Sequence, residues 1–504
     1  MMKKLFSTFF LLAAAGAAMA APPARPNIVF FLVDDMGWQD TSVPLHYDKG
    51  GKPIPSPGNA TFKTPAMEKL ASQGVCFTRA YGASVCSPTR TSVMSGMNPS
   101  RTHISNWTNP AKPADTSKRS IKAMAPPKWR IEGLNARDAS MANMFKKEGY
   151  RTIFIGKAHF GATSQKEAQP EQLGFDVNIG GCGAGQPGSY YGKDNYAEQP
   201  TRFQKKQGPR DVPGLQQYHG SDTFLTEALT LELGKEMDKA VHMKKPFFAY
   251  MGHYAVHGPL MQDPRFSQLY PGQRAAMLKY ATLISGMDKS LGDIIDKLEQ
   301  AGVAENTLIV FASDNGGTAP KKNPCTPLRA GKGCAYEGGI RVPVIIAWAR
   351  PNPGNTFQRQ FPIKGGGINS NVIALQDLFA TFGSIIGSSH VPAGLDSMDF
   401  SGYLRPDGKS GRPQTFFLNF PHEHNEAYYA VYINGDWKVI YRFLTKSWEL
   451  YNVTDDIGET KNMAAEQPAI LKKMAAALAA EFKRHDSQPP IETATNTPAA
   501  IVLP

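Results

Sequence analysis

The sequence predicts an α/β fold: a large, doubly wound, mixed and mostly parallel sheet sandwiched by helices, followed by a smaller C-terminal antiparallel sheet with one helix. Three observations carry this. Short apolar runs alternate with amphipathic stretches of helical period as far as residue 410. Several of those runs stop abruptly at acids, amides, lysines or histidines, as strands do when they deliver side chains to one sheet edge. Past residue 410 the runs become short and closely spaced, with Asn434-Gly435 as a hairpin signal.

At the N-terminus, Lys3 and Lys4 precede an apolar run from Leu5 to Ala18, and Ala18-Met19-Ala20 offers small residues for cleavage. Residues 1–20 therefore read as a secretory signal, too short to span a bilayer. The mature chain is expected to be exported, periplasmic or secreted. Cleavage after Ala20 leaves no cysteine at the new N-terminus, so no lipid or membrane anchor is expected. Residues 21–410 form the expected catalytic domain and residues 411–504 the C-terminal subdomain.

Asn27 to Val33 is continuously apolar after its first residue and ends at Asp34-Asp35, the pattern of a strand buried on both faces. Thr64-Pro65 predicts an N-cap and first helical residue for a helix that stops at Gly74. Asp138 to Glu148 reads as a helix. Arg151 to Ile155 reads as a strand ending at Gly156-Lys157-Ala158-His159. Ser221 to Val241 and Arg274 to Ala301 are amphipathic helices. Between them the strand Phe247 to Met251 runs towards His253 and His257. Thr307 to Phe311 ends at Ser313-Asp314-Asn315-Gly316-Gly317, and Val342 to Trp348 is a further strand. In the C-terminal part, Thr415 to Phe420, Tyr428 to Ile433 and Trp437 to Tyr441 are strands, and Gln467 to Arg484 is a helix.

The chain of 504 residues has a net charge of +12, and loss of the leader with its two lysines leaves +10. Such an excess suits an anionic partner. With no Lys/Arg run and no zinc-type spacing, nucleic acid is not an expected partner. Five cysteines in an exported chain leave at least one thiol unpaired. Cys325 and Cys334 bracket a short loop and form a candidate pair, while Cys76 and Cys182 read as buried and inert.

The remaining cysteine opens Cys86-Ser87-Pro88-Thr89-Arg90, which fits the C-x-P-x-R signature of the type I sulfatases of the alkaline phosphatase superfamily. The resemblance extends along nearly the whole mature chain. Pro26 to Gly37 is similar to the opening strand and metal pair, and Gly156-Lys157-Ala158-His159 to the G-K-x-H element. Pro246 to Pro259 is similar to the second histidine segment, and Ser313-Asp314-Asn315-Gly316 to the second metal element. Leu328 to Pro343 resembles the loop with the last lysine, and Glu449 to Thr460 the C-terminal ending. Thr89 stands where serine is commoner, and Ser95-Gly96-Met97 where the family has Thr-Gly-Arg.

The resemblance implies a carbohydrate sulfatase whose Cys86 is oxidised to formylglycine by a maturation enzyme, with the aldehyde hydrate attacking sulfur. It implies that Arg90 orients the hydrate, Lys157 and Lys332 bind sulfate oxygens, His159 assists turnover, and His257 protonates the leaving alcohol. Asp34, Asp35, Asp314 and Asn315, with Cys86, would hold the metal. The hard, oxygen-only ligand set that Asp34, Asp35, Asp314 and Asn315 supply suits Ca²⁺ ahead of Mg²⁺ and disfavours Zn²⁺. His422 and His424 are candidate substrate contacts, because the C-terminal region lines the cleft in similar proteins. His253 reads as a packed histidine. Gly183-Ala184-Gly185-Gln186-Pro187-Gly188 satisfies G-x-G-x-x-G, but no strand precedes it and a nucleotide site is not expected. A further resemblance around Asn106-Trp107-Thr108 and His253-Tyr254-Ala255-Val256-His257 implies a galactose or N-acetylgalactosamine sulfate in a glycan as substrate. A phosphonate or phosphodiester hydrolase, and a sulfoglycan-binding protein with an unmodified Cys86, remain open alternatives.

Overall fold

All seven residues of Asn27–Val33 are buried, and the run forms a central strand of the main sheet, as its unbroken apolar character requires. The computed structural model describes residues 25–199 and 208–504, and the secretory signal read at residues 1–20 lies outside them. In chain order the strands of this sheet are β1 (Asn27–Val33), β2 (Val75–Tyr81), β3 (Arg151–Gly156), β4 (Val177–Ile179), β5 (Phe247–Gly252), β6 (Thr307–Ser313), β7 (Arg341–Trp348), β8 (Gly367–Asn369) and β9 (Ile373–Ala374). Their order across the sheet is β9-β2-β7-β6-β1-β5-β3-β4, with β8 also paired to β2. The strands β6, β1, β5, β3 and β4 run parallel, whereas β7 is antiparallel to both β6 and β2.

Register decides where the polar strand ends fall. Leu32 pairs with Gly252, Val33 with Ser313, and Gly156 with Gly252. The residues that follow these strands, Lys157, His253, Asp34 and Asp314, therefore leave the sheet at one level along one edge.

Helices cover both faces. Those used below are α1 (Pro65–Gln73), α2 (Cys86–Ser95), α3 (Met141–Lys147), α4 (Leu225–His242), α5 (Ala275–Gln300), α6 (Leu378–Ile385) and α7 (Pro468–Arg484). On β1, Val29, Phe31 and Val33 pack with α1, α4 and α5, while Ile28, Phe30 and Leu32 pack with α2, α3 and α6. The two-residue period of the strand thus feeds two separate cores. Thr64 occupies the N-cap position of α1 but makes no capping bond with its side chain. Asp288 of α5 does so instead, accepting from Ala66 N and Met67 N at 2.9 Å each. Gly74 ends α1 because β7 passes close by: a Cβ there would lie 2.1 Å from the Ile346 carbonyl oxygen.

The C-terminal sheet is antiparallel, β10 (Thr415–Glu423), β11 (Ala427–Asn434), β12 (Trp437–Arg442) and β13 (Ser447–Asn452) in that order. One face packs on Tyr81, Val85 and Ile340 of the main body, and the other takes Leu471, Met474 and Leu478 of α7. Lys438 of β12 ties the two parts together. It is fully buried, donates to Glu337 Oε1 at 3.0 Å and forms an ion pair with Glu459 Oε1 at 2.8 Å. The chain's last strands, Ile491–Glu492 and Thr497–Pro498, form a small sheet with Met124–Ala125.

Two sequence expectations are corrected. All five cysteines are free and buried, so Cys325 and Cys334 are not paired. The Cys325 Sγ accepts from Gly317 N at 3.2 Å, while the Cys334 Sγ lies against the Lys332 carbonyl oxygen. The loop between them is held by hydrogen bonds and not by a crosslink. The strand β2, which leads into Cys86, was absent from the sequence reading because Thr78 and Arg79 break its apolar run. Among the described residues, no helix is long and apolar enough to cross a membrane.

Candidate active site

The site begins with the helix α2. Val85 is its extended N-cap residue, and all ten helical residues, Cys86 to Ser95, are buried. Pro88 sits in the first turn, where its missing N–H leaves no intrahelical bond unmade. Thr89 Oγ1 accepts from Ala83 N at 2.8 Å and folds the preceding loop onto the helix. Cys86 and Arg90 are four residues apart and share one face of the helix. The spacing of the motif is therefore the geometry of one helical turn.

Arg90 is completely buried. Its Nε donates to Asp314 Oδ2 at 2.8 Å, its Nη1 donates to the Lys157 carbonyl oxygen at 2.8 Å, and its Nη2 lies 3.7 Å from Asp34 Oδ1. The guanidinium thus braces the carboxylates. Gly252 permits this close packing, since a Cβ there would sit 2.5 Å from the Lys157 carbonyl oxygen.

Around Arg90 the strand ends converge. Carboxylate oxygens of Asp34, Asp35 and Asp314 lie within 4.8 Å of one another, all buried. Lys157 Nζ donates to Asp34 Oδ2 at 2.6 Å, and Lys332 Nζ donates to Asp35 Oδ1 at 2.6 Å. Asn315 Nδ2 donates to Asp35 Oδ1 at 2.8 Å. Burial raises the carboxyl of Asp34 well above the usual range, further than Lys157 offsets, with Asp314 and Asp35 adding repulsion. For Asp35 burial acts in the same sense, but Lys332 and His257 outweigh it and hold the group low. Burial likewise opposes the charge on Asp314, and Arg90 and Lys157 overcome it. Two buried oxygens of this cluster, Asp34 Oδ1 and Asn315 Oδ1, have no hydrogen-bond partner. Unpartnered hard oxygens among crowded carboxylates are what a divalent cation such as Ca²⁺ requires. The residues present fit that group.

Cys86 Sγ lies 3.4 Å from His159 Nδ1. His159 Nε2 is 2.9 Å from the Thr108 carbonyl oxygen, which can only accept, so Nε2 carries the proton and Nδ1 is the acceptor facing the thiol. Burial, and then Lys157, keep His159 well below the ordinary histidine value. His257 Nδ1 donates to the Gly258 carbonyl oxygen at 3.0 Å, and Nε2 lies 3.5 Å from Asp35 Oδ2. Burial, and then Lys332, push His257 down to about 3. Asp35 and His159 both hold left-handed backbone, with φ of 59° and 54°. Such strain in non-glycine residues gathers where surrounding structure dictates a side chain's aim.

Above this cluster opens a cavity of about 300 Å³. Cys86, His159, His257 and Lys332 line it, together with His424. His424 is pushed down to about 4 by burial and then by Lys332, and its Nδ1 is buried without a partner. His422 is elsewhere: it is fully buried, bonded to the hydroxyls of Ser105 and Ser117 at 2.9 Å each, and packed on Trp129. It supports the wall of the cavity and does not line it. His253 is likewise a packed histidine, with Nε2 on Ser290 Oγ at 2.9 Å and its ring on Phe31.

The remaining walls come from Trp107, which lies in a segment the resemblance tied to the sugar, and from Asn109, Pro110, Gly185, Gln186 and Arg210, which the sequence did not mark as site residues. Gly185 belongs to the G-x-G-x-x-G match. Its glycine serves His159, because a Cβ there would lie 2.5 Å from the imidazole Cε1. That crowding was the only signal in the segment, and it is visible only in three dimensions.

A family model described as Sulfatase matches residues 26–388. A sulfatase of Formosa agariphila is 27% identical, the match covering 88% of this chain and 85% of that protein. The N-acetylgalactosamine-6-sulfatase of Canis lupus familiaris is 27% identical, covering 90% and 79%. Among solved structures, Ps i-CgsB in complex with k-i-k-neocarrahexaose superposes with a TM-score of 0.70 at 24% identity, covering 92% of this chain and 94% of that one.

Proposed function

The chain belongs to the sulfatase family and is a sulfuric ester hydrolase, and from that premise we propose that it releases sulfate from a sulfated carbohydrate through a formylglycine made from Cys86. The observation that carries this is the position of Cys86. It stands at the first turn of α2, 3.4 Å from His159 and on the floor of a cavity that it shares with His257 and Lys332. Formylglycine at that position supplies, as its hydrate, an oxygen nucleophile for sulfur. The maturation enzyme that oxidises the thiol is then an obligatory partner.

Asp34, Asp35, Asp314 and Asn315 are proposed to hold Ca²⁺, with the residue at position 86. The bound cation supplies charge neutralisation for the sulfate and its attacking oxygen. Lys157 and Lys332, held by Asp34 and Asp35 respectively, present positive charge to sulfate oxygens. Arg90 sets the spacing of Asp34 and Asp314 and so the floor on which the ester rests. His159 has a free Nδ1 directed at position 86 and serves there as proton acceptor. His257 is the proposed donor for the leaving alcohol, which departs poorly as an alkoxide; burial and Lys332 by themselves hold its ring neutral, and the negative charge of a bound sulfate would favour the protonated form.

Trp107 offers an apolar face and Asn109 and Gln186 offer amides, the mixture that a sugar ring needs. Galactose or N-acetylgalactosamine sulfates in a glycan are the proposed class, in keeping with the N-acetylgalactosamine-6-sulfatases among the relatives. An exported, periplasmic or secreted location is part of the same proposal. The test has two arms. Protein co-expressed with a maturation system is assayed for sulfate release from singly sulfated sugars, and the Cys86 peptide is weighed. Active protein with an unmodified thiol contradicts the mechanism, and formylglycine protein that acts on no sulfated sugar contradicts the substrate class.

A further inference from the structure

The charges of the cavity divide unevenly. Beneath it, Arg90, Lys157 and Lys332 each lie against a carboxylate of Asp34, Asp35 or Asp314. Arg210 lines the same cavity, and among the described residues no hydrogen bond or ion pair joins it to that cluster. No acidic side chain is among the cavity's lining residues. Arg210 is also held in place. Gly188 N donates to its carbonyl oxygen at 2.8 Å, and Glu198 Oε1 accepts from its Nη1 at 2.7 Å. The arginine side chain keeps 43% of its surface exposed, while that of Glu198 keeps 19%. Glu198 therefore steadies the guanidinium from the protein side and leaves much of it open.

Resting on the sulfatase reading above, we propose that Arg210 binds a second anionic group of the saccharide, so that the preferred substrate carries a sulfate or carboxylate in addition to the ester being cleaved. A guanidinium is a planar fork that matches the paired oxygens of either group, and it stays charged at any working pH. Trp107 on the same cavity gives the intervening sugar ring an apolar surface. A single sulfate would be satisfied by the buried cluster and would leave Arg210 without a partner from the substrate.

The experiment compares kcat/KM for the mature wild type, Arg210→Gln and Arg210→Lys on three probes. These are N-acetylgalactosamine 6-sulfate, N-acetylgalactosamine 4,6-disulfate, and a hexuronic acid-linked N-acetylgalactosamine 6-sulfate disaccharide. The wild type is expected to prefer one doubly anionic probe by about tenfold or more, the worth of one charge-assisted hydrogen bond. Which probe it prefers tells sulfate from carboxylate. Arg210→Gln should remove most of that preference through KM, and Arg210→Lys, which keeps the charge but loses the fork, should fall between. Wild type that treats single and double anions alike, or a preference that survives Arg210→Gln, overturns the inference and leaves the sulfatase reading standing. Failure to cleave any of the three or their galactose counterparts, by enzyme that hydrolyses an aryl sulfate, overturns the galactose or N-acetylgalactosamine reading and this inference together.

Discussion

Lys157 Nζ bonds only one oxygen of Asp34: Oδ2 receives it at 2.6 Å, while Oδ1, equally buried, has no hydrogen-bond partner. The carboxylate is thus oriented by the lysine with its other oxygen left for a cation. Chelator-treated protein is expected to lose turnover and to regain it with Ca²⁺ but not with Zn²⁺. Ca²⁺ at a hundred times its Kd should also stabilise the fold by about 2.7 kcal/mol, read as a rise in Tm. Asp34→Asn should weaken both effects. Full activity in metal-stripped protein would refute the site.

His257→Ala should cost about 10²–10⁴-fold in kcat on a sugar sulfate, the usual worth of general acid catalysis. On an activated aryl sulfate, whose phenolate departs unaided, the loss should be far smaller. Equal losses on both substrates would mean that His257 holds sulfate and that the proton comes from elsewhere.

Thiol mapping checks the cysteines. In denatured, non-reduced, mature protein, alkylation should label Cys76, Cys182, Cys325 and Cys334 and miss position 86. In native protein the same four should react slowly, because burial pushes their thiols up, Cys76 to about 12 and Cys334 to about 11. A Cys325–Cys334 crosslink would contradict the structure.

Lys438→Met leaves Glu337 and Glu459 buried without the cation that lies between them. The expected destabilisation is about 3–5 kcal/mol, measured as a lower denaturant midpoint. Adding Glu337→Gln and Glu459→Gln to the same chain should recover much of the loss. A neutral single variant would show that the C-terminal sheet is held by its apolar face alone.

Much of the fold was legible because buried parallel strands announce themselves. The runs ending at Asp34, Lys157 and Asp314 are continuous apolar segments with abrupt polar stops, and register then brings those stops to one edge. Cys86 and Arg90 were legible as a pair through the C-x-P-x-R resemblance alone, and the structure adds that they share one turn of α2. The sugar-facing wall was legible only around Trp107, through the resemblance at Asn106-Trp107-Thr108, because Asn109, Gln186 and Arg210 lie in irregular segments with no period to read. The fate of His422 and His424 shows the limit well. The sequence ends this strand at Phe420 and treats both histidines as cleft contacts, whereas β10 runs on to Glu423 with a register shift after Phe420, which leaves His422 within the strand and His424 beyond it. One histidine is consequently sealed behind the wall while the other reaches the cavity.

On the proposed reading, the burial of α2 also implies an order of events during biosynthesis. Cys86 keeps 4% of its surface, and every residue from Cys86 to Ser95 is enclosed by the sheet and its loops. A maturation enzyme must take hold of the thiol and of neighbouring backbone, which the finished molecule conceals. On the proposed reading, the oxidation therefore belongs to the interval between synthesis and collapse of the chain. Protein that folds first would keep its thiol for life, well formed and inert, however much maturation enzyme it meets afterwards. The fraction of active molecules in a preparation would then report a race between two rates, set in the cell before purification begins.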